Sequence, residues 1–252
     1  MSLEKTFFSK YYDQRWGSSA LPSWSADSYA RFCAKGLPTR KSEAWRYVKL
    51  DQWFSPSRQA ACMEDALVAH ADRQYEADVV VANGKVTVLN TNLDIIVVPL
   101  QEAVRTHAEI VDKHMQRYLA HDRLDNPLAH FATAAWQDGL LIQVLPGYRC
   151  QLPLRIVYDY TSGVFANLVH IIDMGVGSKL TIVEQSYGVD EASYIHNSFS
   201  SIQLGAGAEL LNERTQMASD NAVWHDCRLI QQENTSQCTQ RLFTLGAQYA
   251  RE

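Results

Sequence analysis

The run Ile172-Asp173-Met174-Gly175-Val176-Gly177-Ser178-Lys179-Leu180 returns thirty residues later as Ile202-Gln203-Leu204-Gly205-Ala206-Gly207-Ala208-Glu209-Leu210. In both copies an aliphatic stretch leads into a Gly-x-Gly corner and out into a second aliphatic stretch. Glycine at a corner supplies positive-φ backbone that other residues adopt only at a cost. A weaker copy at Leu229-Ile230-Gln231-Gln232-Glu233-Asn234 keeps the rhythm of strand, turn and strand without the glycines. A fixed offset of this size, carried by strands and turns, marks a solenoid whose coils bury their inner residues only against neighbouring coils. Ile172 and Ile202 should then stack on adjacent coils, with Gly175, Gly177, Gly205 and Gly207 at corners. On spacing alone, a sandwich of hairpins is the alternative.

Outward from this repeat, the residues after Asp138 show no long helical pattern, and Leu140 to Leu145 reads as the first strand of the β region. Before it, Asn126 is a good N-cap, Pro127 suits the first helical position, and Gly139 is placed to end that helix. A longer helix is expected to carry Val104, Ala108, Val111, Met115 and Leu119 as one apolar stripe. Upstream, Asp78-Val79-Val80-Val81 and Lys85-Val86-Thr87-Val88-Leu89 flank Asn83-Gly84, a strong hairpin signal, and Asp94 to Leu100 adds a third strand. The start of the chain is helical and aromatic. Phe7, Phe8, Tyr11, Tyr12 and Trp16 recur at helical spacing, and Ser25 to Lys35 sets Tyr29, Phe32 and Cys33 on one side before Gly36. These readings divide the chain into a helical region (1–77), a mixed α/β segment (78–138) and a β-helix core (139–252). The fold class is mainly β, a solenoid preceded by a helical and small α/β region.

Composition excludes some partners. The 252 residues carry a formal net charge of −5, whereas nucleic-acid binders gather an excess of Lys and Arg on one face. The N-terminus has no apolar signal region and no window approaches eighteen apolar residues, so a cytoplasmic protein with no membrane partner is expected. Five scattered cysteines, Cys33, Cys62, Cys150, Cys227 and Cys238, fit reduced thiols better than a disulfide framework.

Candidate chemistry is sparse. The Gly-x-Gly corners lack a third glycine and a following helix, and Gly177-Ser178-Lys179 has Ser and Lys in the wrong order for a phosphate-binding loop. His107, His114 and His121 fall on one helical face, but residues seven apart lie about 10 Å apart along a helix, too far to share an ion. They read as flanking or surface histidines. His225 and Cys227 project from the same side of a strand and are the better metal or persulfide candidates, although two ligands do not complete a tetrahedral site. Glu184 and Glu213 follow the two corners and are candidate paired carboxylates, with solvated strand edges as the plainer reading. Arg40, Lys41, Glu43 and Arg46 read as a solvated helix face anchored by Trp45 and Tyr47. No Gly-x-Ser-x-Gly, His-Glu-x-x-His or Cys-x-x-Cys motif is present. The expectation is therefore a chain with no catalytic, cofactor-binding or metal-binding residue. Two other classes stay open: a β-helix carbohydrate-active enzyme or acyltransferase, and a self-associating structural solenoid.

Two stretches carry a family resemblance. Gly36-Leu37-Pro38-Thr39-Arg40-Lys41-Ser42-Glu43-Ala44-Trp45-Arg46-Tyr47 has a helix stop at Gly36, a block at Pro38 and a cap at Thr39, but nothing structural selects the basic-acidic-aromatic order that follows. That order resembles the N-terminal signature of the SufB/SufD family of iron–sulfur cluster assembly scaffolds, in its SufD rather than its SufB form. The segment from Asn126-Pro127 to Asp138-Gly139 is similar to the helix that leads into that family's β-helical core. The resemblance implies a non-catalytic cytoplasmic scaffold. It would act with a SufB-like subunit and a SufC-like ATPase that uses ATP, in a complex that assembles an iron–sulfur cluster. It also implies that SufB pairing strands, a cluster-site histidine and the helices that grip SufC lie beyond Glu252, so no ligand is carried over. On that basis the β-helix is expected to be incomplete at its C-terminus and unable to bind SufC. Its last strand, Cys238 to Leu245, should be followed only by Gly246 and a polar tail, and should either self-associate or lie under the N-terminal helices.

Overall fold

The computed structural model describes residues 3–17, 21–38, 42–48, 50–54, 76–90, 94–121, 126–188 and 191–251. Thr39, Arg40, Lys41 and Cys62 lie outside the described residues. Two helices, α1 (Leu3–Trp16) and α2 (Ser23–Lys35), lead through a 3-10 turn (Glu43–Trp45) to a short α3 (Leu50–Trp53). Strands β1 (Val79–Ala82), β2 (Lys85–Val88) and β3 (Ile96–Pro99) follow, then α4 (Leu100–Thr106), α5 (Ala108–Ala120) and α6 (Pro127–Ala134). The rest is strand: β4 (Asp138–Val144), β5 (Leu154–Tyr160), β6 (Phe165–Met174), β7 (Lys179–Gly188), β8 (Ile195–Leu204), β9 (Glu209–Met217), β10 (Val223–Gln232), β11 (Gln237–Thr244) and β12 (Tyr249–Arg251).

These strands build a solenoid of two facing sheets. One sheet runs β11-β9-β7-β5-β1-β2 and the other β12-β10-β8-β6-β4-β3. Every pairing from β4 onward is parallel, with Ile172 opposite Ile202 and Ile202 opposite Ile230, so the repeat stacks coil on coil as its spacing demands. The hairpin β1–β2 and strand β3 close the N-terminal end by antiparallel pairing, with Asn83 and Gly84 at φ 49° and 83° as a two-residue turn requires.

Burial separates the two sheets. Strand β9 alternates buried and half-buried residues, as expected when one face meets the lumen and the other meets water. Strands β6 and β8 are buried on both faces. Their outer faces lie under the helices: Leu128 and Phe131 of α6 pack with Phe165, Ile195 and Val223, and Val111, Met115 and Tyr118 of α5 pack with Val169, Ile171 and Phe199. The lumen is filled by Leu140, Ile156, Leu168, Ile182, Ile202, Leu210 and their neighbours. Among the described residues no helix is long and apolar enough to cross a membrane.

The corners show what one copy of the repeat carries in place of a glycine. Gly147, Gly177, Gly207 and Thr235 occupy equivalent corner positions with φ of 74°, 64°, 68° and 61°. The fourth coil thus holds a β-branched residue in the left-handed region, at a cost of about 1–2 kcal/mol. Replacing Thr235 with glycine relieves that strain and returns part of it as chain entropy. Thr235→Gly should therefore raise stability by about 0.5–1 kcal/mol. Urea unfolding checks this, and a loss of stability would refute it.

Several local expectations are corrected. The single helix with an apolar stripe is two helices, broken at His107 (φ −134°, ψ 36°). Its buried residues are Leu100 and Ala103 in α4 and Val111, His114, Met115 and Tyr118 in α5, while Ala108 is exposed. Helix α6 ends at Ala134, and Gly139 lies within β4, where an added Cβ would sit 1.7 Å from the Val169 carbonyl oxygen. The residue is glycine because a neighbouring strand occupies the side-chain space, not because a helix stops there. Asp138 beside it accepts the N–H groups of Val86 (3.0 Å) and Gln101 (3.3 Å), joining β2, α4 and β4. Cys33 is exposed while Phe32 is buried, and Tyr47 is exposed while Trp45 alone anchors its turn.

Candidate functional site

His225 and Cys227 share the outer face of β10, as their spacing requires, yet the surroundings leave no ligand. Asn126 Oδ1 caps α6 by accepting from the N–H groups of Leu128 and Ala129, so its Nδ2 donates to His225 Nε2 at 3.1 Å. Asn197 Nδ2 donates to Leu128 O and Asn167 Oδ1, so its Oδ1 accepts from His225 Nδ1 at 2.7 Å. Both imidazole nitrogens are occupied by groups that require the neutral ring, and burial pulls its pKa down to about 4. The Trp45 ring stacks on this imidazole at 6.0 Å between centroids, and Trp53 lies at 6.4 Å. Burial pushes the Cys227 thiol up to about 12, which leaves it protonated and unreactive at neutral pH. The two quoted sequence signatures therefore meet at His225, which ties the 3-10 turn and the start of α6 to the solenoid. Among the described residues no group of three His, Cys, Asp or Glu side chains could hold a metal ion. His225→Ala strands a buried acceptor on Asn197 and removes one partner of the part-buried Asn126 amide, and should cost about 2–3 kcal/mol. A metal chelator should leave the midpoint of urea unfolding unchanged. A chelator-sensitive midpoint would contradict this assignment.

Glu184 is corrected from a solvated edge to the lumen. It lies on the inward register of β7, after Leu180 and Ile182, and directly opposite Arg214 of β9. Glu213 is the register partner of Val183 and faces outward, where Arg241 holds it at 2.5 Å. The two carboxylates point to opposite faces of the sheet and do not pair. Glu184 instead completes a buried ionic square. Arg214 bridges Glu184 (2.7 Å) and Asp226 (2.5 Å), and Arg228 bridges Asp226 (2.9 Å) and Glu184 (3.8 Å). Tyr158 and Asn212 donate to Glu184, and Ser198 donates to Asp226. The Ser198 hydroxyl in turn accepts from His196 Nε2, whose Nδ1 accepts from Tyr160. Burial alone would raise the Glu184 pKa, but Arg214, Arg228 and Asn212 bring it down to about 2, and the same cations hold Asp226 well below its usual range. Burial likewise lowers His170, to about 4, and His196. No sequence pattern flagged this square: Arg214 follows Glu184 by the thirty-residue offset of the repeat, but Asp226 and Arg228 come from a strand of the opposite sheet.

His114 is corrected from a surface residue to a buried one. Its Nδ1 meets Ser201 Oγ at 2.8 Å and its Nε2 meets Asp173 Oδ1 at 3.4 Å. This Ser-His-Asp trio resembles a hydrolase triad in composition only. The serine contacts Nδ1, and both Ser201 and His114 are closed off between α5 and β8, 5% and 1% exposed. Nucleophilic attack needs substrate to reach the hydroxyl. The trio serves as a polar pin for α5, and the His114 bond holds the Asp173 carboxyl below its usual range. His107 sits at the break between α4 and α5, and His121 at the end of α5.

The C-terminal end of the solenoid presents sheet edges. Among the described residues strand β11 pairs only with β9, and Leu242, Phe243 and Leu245 on or beside it are 42%, 58% and 67% exposed. The expected polar tail is a strand, β12, paired with β10. The N-terminal segment reaches this strand: Tyr249 packs on Trp53 at 5.9 Å, and the Arg251 guanidinium lies 4.2 Å from the Trp45 ring. The helices cover the outer face of the second sheet. Among the described residues they do not cover the β11 edge.

A model of the SufBD protein N-terminal region matches residues 9–156, from α1 into β5, which includes both quoted signatures. A search of curated proteins found no match.

Proposed function

We propose, since this chain belongs to the SufBD family, that it is a scaffold subunit of the SUF iron–sulfur cluster assembly machinery, of the SufD type and without catalytic activity of its own. In this reading it works in the cytoplasm, pairs with a SufB-like subunit, and relies on a SufC-like ATPase for ATP hydrolysis. The cluster is cargo of the complex. The observation that carries the reading is the match of the SufBD protein N-terminal region to residues 9–156, which spans both quoted signatures and runs into the parallel solenoid. The absence of a phosphate-binding loop from the sequence supports an ATPase on a separate subunit. The engaged nitrogens of His225 and the protonated Cys227 support a chain that does not hold the cluster alone.

Anaerobic reconstitution of the isolated chain with iron and sulfide, alongside an ATP-turnover assay, tests the reading. A colourless protein with no ATP hydrolysis is expected. A stable chromophore that disappears in Cys227→Ala would overturn it, as would ATP turnover by the chain alone.

A further inference from the structure

Within the lumen, beside the ionic square, lies a cavity of about 20 Å³. Its apolar walls include Ile172 and Ile202, and its polar walls include His170, Glu184, Ser200 and Arg228. Two buried polar atoms of this wall, His170 Nε2 and Arg228 Nη2, have no hydrogen-bond partner among the described residues. Both residues lie on lumen-facing positions of parallel strands, His170 on β6 and Arg228 on β10. A buried donor or acceptor left without a partner is costly, and such groups in folded proteins are usually satisfied by an ordered water.

We propose that this cavity is a binding site for a single water molecule, shared by Arg228 Nη2 and His170 Nε2. Size sets the number, since one water needs roughly 10–15 Å³ of such volume and two would need about 20–30 Å³, at or above what the cavity offers. Polarity sets the chemistry. A guanidinium nitrogen only donates, so the occupant must accept a hydrogen bond. A neutral imidazole nitrogen donates or accepts according to its tautomer, and water meets either case. Charge excludes the ionic competitors. The guanidinium groups of Arg214 and Arg228 are balanced by the carboxylates of Glu184 and Asp226, so the walls carry no net charge to hold an anion or a metal cation. An anion would also face Glu184 directly. The bound water joins His170 to the ionic square and completes a polar network that runs from Tyr160 through His196, Ser198 and Asp226 to Arg228.

A crystal structure of the unmodified chain at about 1.5 Å or better tests this without any variant. One fully occupied peak within hydrogen-bond distance of both Arg228 Nη2 and His170 Nε2 is expected, and soaking with bromide should leave it without anomalous signal. A cavity without density would overturn the proposal, and so would an anomalous bromide peak. In solution, oxygen-17 relaxation dispersion should show one fewer long-lived internal water in His170→Leu, whose side chain fills the site. An unchanged count in a folded variant would contradict the assignment to His170.

Discussion

Arg214→Met is expected to destabilise the chain by about 3–5 kcal/mol at pH 7, the range for removing one partner of a buried ion pair. Arg214 touches both carboxylates of the square, so its loss leaves Glu184 and Asp226 in the lumen with only Arg228 to balance them. The replacement fills much of the same volume, which keeps the effect electrostatic. The pH dependence carries the sign. In the native chain the Glu184 pKa falls to about 2 from 4.5, and Asp226 lies below its usual 3.8. A depressed carboxylate contributes stability that is fully present above its unfolded pKa and is lost as pH falls toward its folded one. The native chain should thus lose this contribution below about pH 4.5. In Arg214→Met the two carboxylates protonate more readily, so the difference between the two proteins should be greatest near neutral pH and shrink with acid. His170, His196 and His225 add an earlier loss. Each is held neutral by burial, so stability falls as pH drops below the ordinary 6.5, and for His170 and His225 that loss extends to about pH 4. Urea unfolding of both proteins from pH 7 to pH 4 measures this. A difference that grows with acid would refute the square as a source of stability.

Such behaviour was not legible in the sequence, for a physical reason. Register in a parallel solenoid multiplies a local pattern into a global one, so Ile172, Ile202 and the Gly-x-Gly corners were enough to place whole coils. Asn83-Gly84 and Asn126-Pro127 were legible because turn and cap chemistry is local. Glu184 was not, because its character depends on Arg214 thirty residues away and on Asp226 and Arg228 from the opposite sheet. Strand β8 gave no sequence signal for a related reason. His196, Asn197, Ser198, Ser200 and Ser201 are polar, yet all are buried because one face meets the lumen network and the other meets the helices. The same helix cover turned His114 inward and engaged both nitrogens of His225. The Trp45 signature became intelligible only when its ring was found against that imidazole.

The second large effect concerns the solenoid edge. Phe243 is on the outward face of β11 and more than half exposed, and Leu242 on the inward face is also partly exposed at the end of the lumen. Lysine at an edge discourages strand addition, because the charge must be desolvated when another strand pairs there. The double variant Leu242→Lys with Phe243→Lys removes the apolar contact while β9 still pairs with β11 through its backbone. Fold stability should change by less than about 1 kcal/mol, as is usual for exposed positions. Self-association of the chain through this edge should weaken at least about a hundredfold, the scale of losing two apolar anchors at an interface, and light scattering on the chain alone checks this.

Size-exclusion chromatography with light scattering, on the chain mixed with a SufB-like subunit, tests the scaffold assignment most directly. An equimolar complex is expected for the native chain. Separate elution of the native chain and the SufB-like subunit would contradict the scaffold role.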